Sequence, residues 1–235
     1  MNYYSLGLES QDRVNHAVGG GIPEGSLVLI EGGTGAGKSV LATRFLYGLC
    51  EEGTRVTAVA TDGTAREYID QTASLSYDVV PHLLAGRLRY FHAPVGGDRP
   101  LLAPLYEPDL WSGDALVVDG FGSLCRNDPA FGPTLGGGEE DRAMTRLTAR
   151  LDPPLAAGKL AVLTVDPATV TERALRPLRS AADVYLELVS EAVGQEIRKK
   201  ALVRRFAGMQ RPVDDTIGFS VQQGRGVVIE SRTIA

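Results

Sequence analysis

The chain has 235 residues, 43% hydrophobic and 23% charged, ordinary globular composition at a length that suits one large α/β domain better than two independent ones. With 29 acidic against 24 basic residues, a formal net charge of -5 and a pI near 5.3, the chain lacks the broad positive field that nonspecific nucleic-acid binding needs. Its two cysteines, Cys50 and Cys125, have no Cys or His at ligand spacing, which excludes a disulfide framework or a zinc site and leaves them as small buried apolar residues.

Residues 26–31, Ser-Leu-Val-Leu-Ile-Glu, form a short β-branched run closed by glycines, the pattern of a strand buried on both faces of a parallel sheet. Val40, Leu41, Phe45, Leu46 and Leu49 then recur at helical spacing, so a helix is expected over Lys38–Glu51. The alternation continues with a strand at residues 55–61, a helix at 64–75 and strands at 87–92, 115–119 and 160–165. A helix over 139–156 is expected between the last two, with Ala143, Leu147 and Leu151 on one face.

From about residue 183 the pattern changes to strands at 184–189, 200–206, 219–222 and 227–230 without a long helix between them. They should extend the sheet as antiparallel strands, with residues 223–226 as a turn. The expectation is a single domain over residues 1–235: an α/β fold with a mostly parallel central sheet flanked by helices. Residues 132–138, glycine-rich, read as the segment most prone to disorder. No basic leader precedes an apolar run, and no stretch reaches the ~18 apolar residues of a membrane span. A cytoplasmic protein is expected, touching membranes only through partners.

Gly32-Gly33-Thr34-Gly35-Ala36-Gly37-Lys38-Ser39 satisfies the G-x-x-x-x-G-K-S pattern in its strand-to-helix context. Glycines let backbone N–H groups approach phosphate oxygens, and the helix N-terminus, continuing to Val40, adds partial positive charge. Lys38 is placed to reach the β and γ phosphates of ATP and Ser39 to ligate Mg²⁺. Ala115-Leu116-Val117-Val118-Asp119 delivers a carboxylate to the end of an apolar strand, so Asp119 is the second candidate for the magnesium ion. No Glu follows Asp119. Asp62, at the end of a neighbouring strand, is therefore the candidate for orienting a water, with capping of the helix near Thr64 as its alternative.

These residues resemble the KaiC-type branch of the RecA superfamily. The likeness is carried by residues 19–32 (Gly-Gly-Gly-Ile-Pro-Glu-Gly-Ser-Leu-Val-Leu-Ile-Glu-Gly), the glycine loop, Thr61-Asp62, Asp119 and Arg204-Arg205-Phe206-Ala207-Gly208. Within that branch the chain is similar to the archaellum accessory ATP-binding family through Tyr4-Ser5-Leu6-Gly7-Leu8-Glu9, residues 71–79, Cys125-Arg126-Asn127-Asp128-Pro129, Leu163-Thr164-Val165-Asp166-Pro167 and Arg205-Phe206-Ala207-Gly208-Met209. The resemblance implies a RecA-like ATP-binding protein that forms a hexameric ring, turns ATP over slowly or not at all, and docks onto the archaellum motor ATPase beneath its membrane platform protein. It also implies a basic residue, Arg204 or Arg205, offered to a neighbouring subunit's phosphate. The resemblance implies that family members usually carry Glu where this chain has Asp62, one methylene shorter. A KaiC-like autokinase, with Thr61 or Thr64 as acceptor, and a DNA-dependent RecA-type ATPase stay open beside this reading.

Arg142, Arg146 and Arg150, four residues apart on one helix, read as a solvated face. His16, His82 and His92 are assigned no chemistry, and Tyr106 and Trp111 read as packing anchors.

Overall fold

The computed structural model describes residues 2–193 and 196–230. In chain order its elements are β1 (Tyr3–Tyr4), α1 (Val14–Ala17), β2 (Ile22–Pro23), β3 (Leu27–Gly32), α2 (Lys38–Glu51), β4 (Val56–Ala60), α3 (Ala65–Ser74), α4 (Val80–Leu84), β5 (Leu88–His92), β6 (Ala115–Asp119), α5 (Phe121–Asn127), α6 (Glu140–Ala149), α7 (Asp152–Ala156), β7 (Leu160–Val165), α8 (Glu172–Ala181), β8 (Val184–Val193), β9 (Glu196–Phe206), β10 (Thr216–Gln222) and β11 (Gly226–Ile229).

Strands β3 to β11 form one sheet in the order β11-β10-β9-β8-β3-β7-β6-β4-β5. Pairing is parallel from β8 through β3, β7, β6 and β4 to β5, and antiparallel from β8 outward to β11. This is the α/β fold with antiparallel C-terminal strands that the sequence pattern implies. Side chains alternate across the sheet. Val28 and Ile30 of β3 pack with Leu41, Phe45, Leu46 and Leu49 of α2, whereas Leu27 and Leu29 pack with Leu124 of α5, Leu147 of α6 and Leu175 and Leu178 of α8. The sheet is thus the middle of three layers. Each fully buried Leu or Phe of α2 contributes about 1.5–3 kcal/mol, which fixes the glycine loop's helix against the sheet.

Three sequence expectations are corrected here. The helix expected over residues 139–156 is two helices, α6 and α7, divided at Arg150 and Leu151. Pro153 and Pro154 stand in the first turn of α7, where a missing N–H is tolerated; in a helix continuing from α6 each would remove a backbone hydrogen bond. Residues 132–138, read as prone to disorder, form a 3-10 helix followed by hydrogen-bonded turns. Behind them the Asp128 carboxylate accepts four backbone N–H bonds, from Leu101, Leu102, Ala130 and Phe131. Finally, α8 was not foreseen. Its internal Pro177 and its arginines obscure the apolar stripe Ala174, Leu175 and Leu178.

The other packing expectations agree with the structure. Cys50 and Cys125 are buried thiols, and Arg142, Arg146 and Arg150 are exposed. Trp111 donates its indole N–H to the Leu105 carbonyl and Tyr106 its hydroxyl to that of Leu147. Among the described residues no helix is long and apolar enough to cross a membrane.

Candidate nucleotide site

Because β3, β4, β6 and β7 run parallel, their carboxyl ends share one rim, the place where open α/β sheets bind ligands. That rim gathers Gly32 at the end of β3, Asp62 just beyond β4, Asp119 at the end of β6 and Asp166 just beyond β7. Register makes the placement specific, since Ile30 lies opposite Thr164 and Ala60 opposite Asp119.

The loop after β3 turns into α2 through Gly37, the N-cap residue, at φ 103° and ψ 14°. Only glycine takes that left-handed geometry without strain, and a Cβ there would lie 3.3 Å from the ring of Phe219. The Lys38 ammonium donates to the Gly33 carbonyl at 2.9 Å and stands 3.6 Å from the Asp166 carboxylate. Asp166 also accepts the Thr34 hydroxyl at 2.9 Å and the Ala168 N–H at 3.0 Å. Burial opposes ionisation of Asp166, but the Ala168 N–H, the Thr34 hydroxyl and Lys38 hold its carboxyl below the usual carboxylate range. From β9, Lys199 donates to the Gly35 carbonyl.

Asp119 has the opposite electrostatics. Burial pushes its carboxyl above the usual range, Asp62 adds repulsion, and the Thr164 and Ser39 hydroxyls and Lys38 only partly compensate. The fully buried Thr164 fixes its direction, donating to Asp119 Oδ1 at 2.6 Å while accepting the Gly120 N–H at 2.8 Å. A hydroxyl and a desolvated carboxylate side by side form a hard-oxygen donor pair of the kind magnesium takes. Ser39, Asp62 and Asp119 line one cavity of about 190 Å³. It is bounded by the stacked rings of Tyr68 and Tyr90, with centroids 4.4 Å apart.

Asp62 does not cap α3. Thr64 does, in a capping box with Glu67, and Asp62 is left exposed on the rim of the cavity. Arg204 and Arg205 lie away from the loop of their own chain. Arg204 donates to Glu187 at 2.7 Å, and Arg205 donates to the carbonyls of Arg179, Ser180 and Ala182 at the end of α8.

Sequence reasoning assigned no role at the site to three contributors: Glu31, Thr164 and Asp166. Thr164 and Asp166 carried a usable signal, the same polar-residue-at-strand-end pattern that singled out Asp119. Glu31, 3% exposed, is paired with Arg179 of α8 at 2.5 Å and with the hydroxyl of Tyr185 at 2.9 Å. Nothing local announces a partner 148 residues away.

A glycine loop between a parallel strand and a helix, with a carboxylate two strands across, defines a RecA-type P-loop domain. Residues 7–99 match the family described as "ATPase: KaiC". The chain is 28% identical over 237 residues to the archaeal flagellar ATP-binding protein FlaH of Methanocaldococcus jannaschii, covering 96% of this chain and 95% of that one. It is 23% identical to FlaH of Sulfolobus acidocaldarius, over 89% and 90% of the two chains. The crystal structure of the flagellar accessory protein FlaH from Methanocaldococcus jannaschii superposes with a TM-score of 0.87 at 26% identity, over 98% of this chain and 100% of that one. A KaiC-like protein from Pyrococcus horikoshii shares the fold at a TM-score of 0.74 and 20% identity, over 98% and 99% of the chains. Along nearly its whole length the chain is thus similar to archaeal flagellar ATP-binding proteins FlaH, and over residues 7–99 to KaiC-type ATPases.

Proposed function

We propose that the chain is an ATP-binding regulatory subunit of the archaellum motor, in which bound MgATP acts as an occupant that orders the protein and its ring more than as fuel. The observation that carries this reading is the convergence of Lys38, Ser39 and Asp119 on one rim with the glycine loop, in a chain similar along nearly its whole length to flagellar ATP-binding proteins. Backbone N–H groups of residues 33–40 would hold the phosphates. Ser39 and Asp119 would hold Mg²⁺, which when bound neutralises charge on the β and γ phosphates.

Turnover is slow in this reading. Asp62 reaches the site one methylene short of a glutamate, and a displacement of about 1 Å costs roughly a hundredfold in rate. Arg204 and Arg205, on strand β9, are the basic residues available to a neighbouring subunit's nucleotide in a hexameric ring. The partner of the ordered form is the motor ATPase at the cytoplasmic face of the membrane platform protein. A ligand shifts such an equilibrium only through its differential affinity for the two states, so assembly should follow occupancy.

Light scattering on the purified chain tests this. Wild type should gain mass on addition of MgATP, and Lys38→Ala should not. Assembly that proceeds unchanged in Lys38→Ala would refute the occupant role.

A further inference from the structure

We propose that Asp166 is a built-in competitor of the nucleotide's terminal phosphate, a carboxylate that sets how strongly the site prefers a nucleoside diphosphate over a triphosphate. The inference rests on the proposed nucleotide-binding reading of the same loop. It assigns a specificity role to a residue that neither cradles phosphate nor faces the magnesium position.

The geometry gives the reason. Lys38 divides its ammonium between the Gly33 carbonyl at 2.9 Å and Asp166 Oδ2 at 3.6 Å. Both side chains of the pair are largely shielded, at 13% and 16% exposure, so solvent screens their attraction only partly. The carboxylate is held in place from two further directions. The Thr34 hydroxyl donates to the same oxygen at 2.9 Å, and the Ala168 N–H donates to Oδ1 at 3.0 Å. Asp166 is therefore a fixed negative charge at the mouth of the loop, beside the ammonium that in a P-loop reaches the β and γ phosphates.

A terminal phosphate would meet Asp166 twice, as a rival for Lys38 and as a like charge nearby. A diphosphate lacks that last group and meets the carboxylate less. The contrast with Asp119 is chemical. Asp119 is turned by Thr164 toward Ser39, where a divalent cation would neutralise it. Among the described residues, the cation set against Asp166 is Lys38.

Asp166→Asn removes the charge, keeps one amide oxygen to accept the Ala168 N–H, and sets its amide N–H toward the Thr34 hydroxyl, which can accept as well as donate. The test is calorimetric titration of wild type and Asp166→Asn with MgATP and, separately, MgADP, with thermal unfolding of both proteins as the folding control. The expected result is about tenfold tighter ATP binding in the variant, equivalent to about 1.4 kcal/mol, with ADP affinity changed by less than about twofold. ATP affinity unchanged or weakened, or ATP and ADP tightened equally, overturns the proposal. If Asp166→Asn fails to fold, Asp166→Ala carries the same expectation. Wild type that takes up neither nucleotide would instead defeat the underlying reading, a result distinct from any of these.

Discussion

Two arginines brace the nucleotide loop from opposite faces of the sheet, and they do it differently. Arg44, on α2, is fully buried. It pairs with Asp12 and donates to the Leu6 carbonyl at 2.7 Å and that of Gly7 at 3.0 Å. Arg179, on α8, grips Glu31 with two nitrogens at 2.7 and 2.5 Å and Glu172 with the third at 2.7 Å, yet its side chain remains 26% exposed. The first fastens the N-terminal segment behind the P-loop helix. The second fastens the residue immediately before Gly32 to α8, whose last turn is in turn held by Arg205.

The difference teaches where stability and function separate. Every nitrogen of Arg44 is engaged in a dry interior, so an orphaned partner cannot turn to water. Arg179 can, because part of its guanidinium already faces solvent. The inner brace should therefore govern whether the chain folds, and the outer one how the loop is set.

The largest expected effect is on Asp12→Ala, which leaves Arg44 charged and unpaired and should lower unfolding free energy by about 3–5 kcal/mol. Urea unfolding measures it, and the fraction that remains folded should bind MgATP with wild-type affinity. Glu31→Gln should cost less, about 1–2 kcal/mol, since one acceptor and partial hydration remain to Arg179. It should also weaken MgATP binding a few-fold, because it loosens the root of the loop. Equal stability losses at the two sites, or a larger binding defect for Asp12→Ala, would break the comparison.

Much of this molecule was legible in its sequence, and unevenly so. The P-loop, its strand and its helix follow from local chemistry: glycines at fixed offsets, one lysine, one hydroxyl, and an apolar run on each side. Asp119 was legible for the same reason, as a polar residue closing an apolar strand. Helix α8 was not, because Pro177 and three arginines within ten residues mask a stripe of three apolar side chains. Nor were the two braces, since Asp12 and Arg44 are 32 residues apart and Glu31 and Arg179 are 148 apart. Periodicity reads faces of elements; it does not read which residues the topology brings together. Asp62 illustrates the middle case. Its strand-end position was readable, but only the structure shows that Thr64 and Glu67 close the helix and leave Asp62 on the cavity rim.

The central claim is that a triphosphate and its magnesium ion occupy the rim shared by the glycine loop, Ser39 and Asp119. Titrating MgATP into the purified protein in a calorimeter tests it most directly. Saturable heat that disappears in Lys38→Ala is the predicted result, and the absence of heat from wild type at millimolar nucleotide would contradict the account.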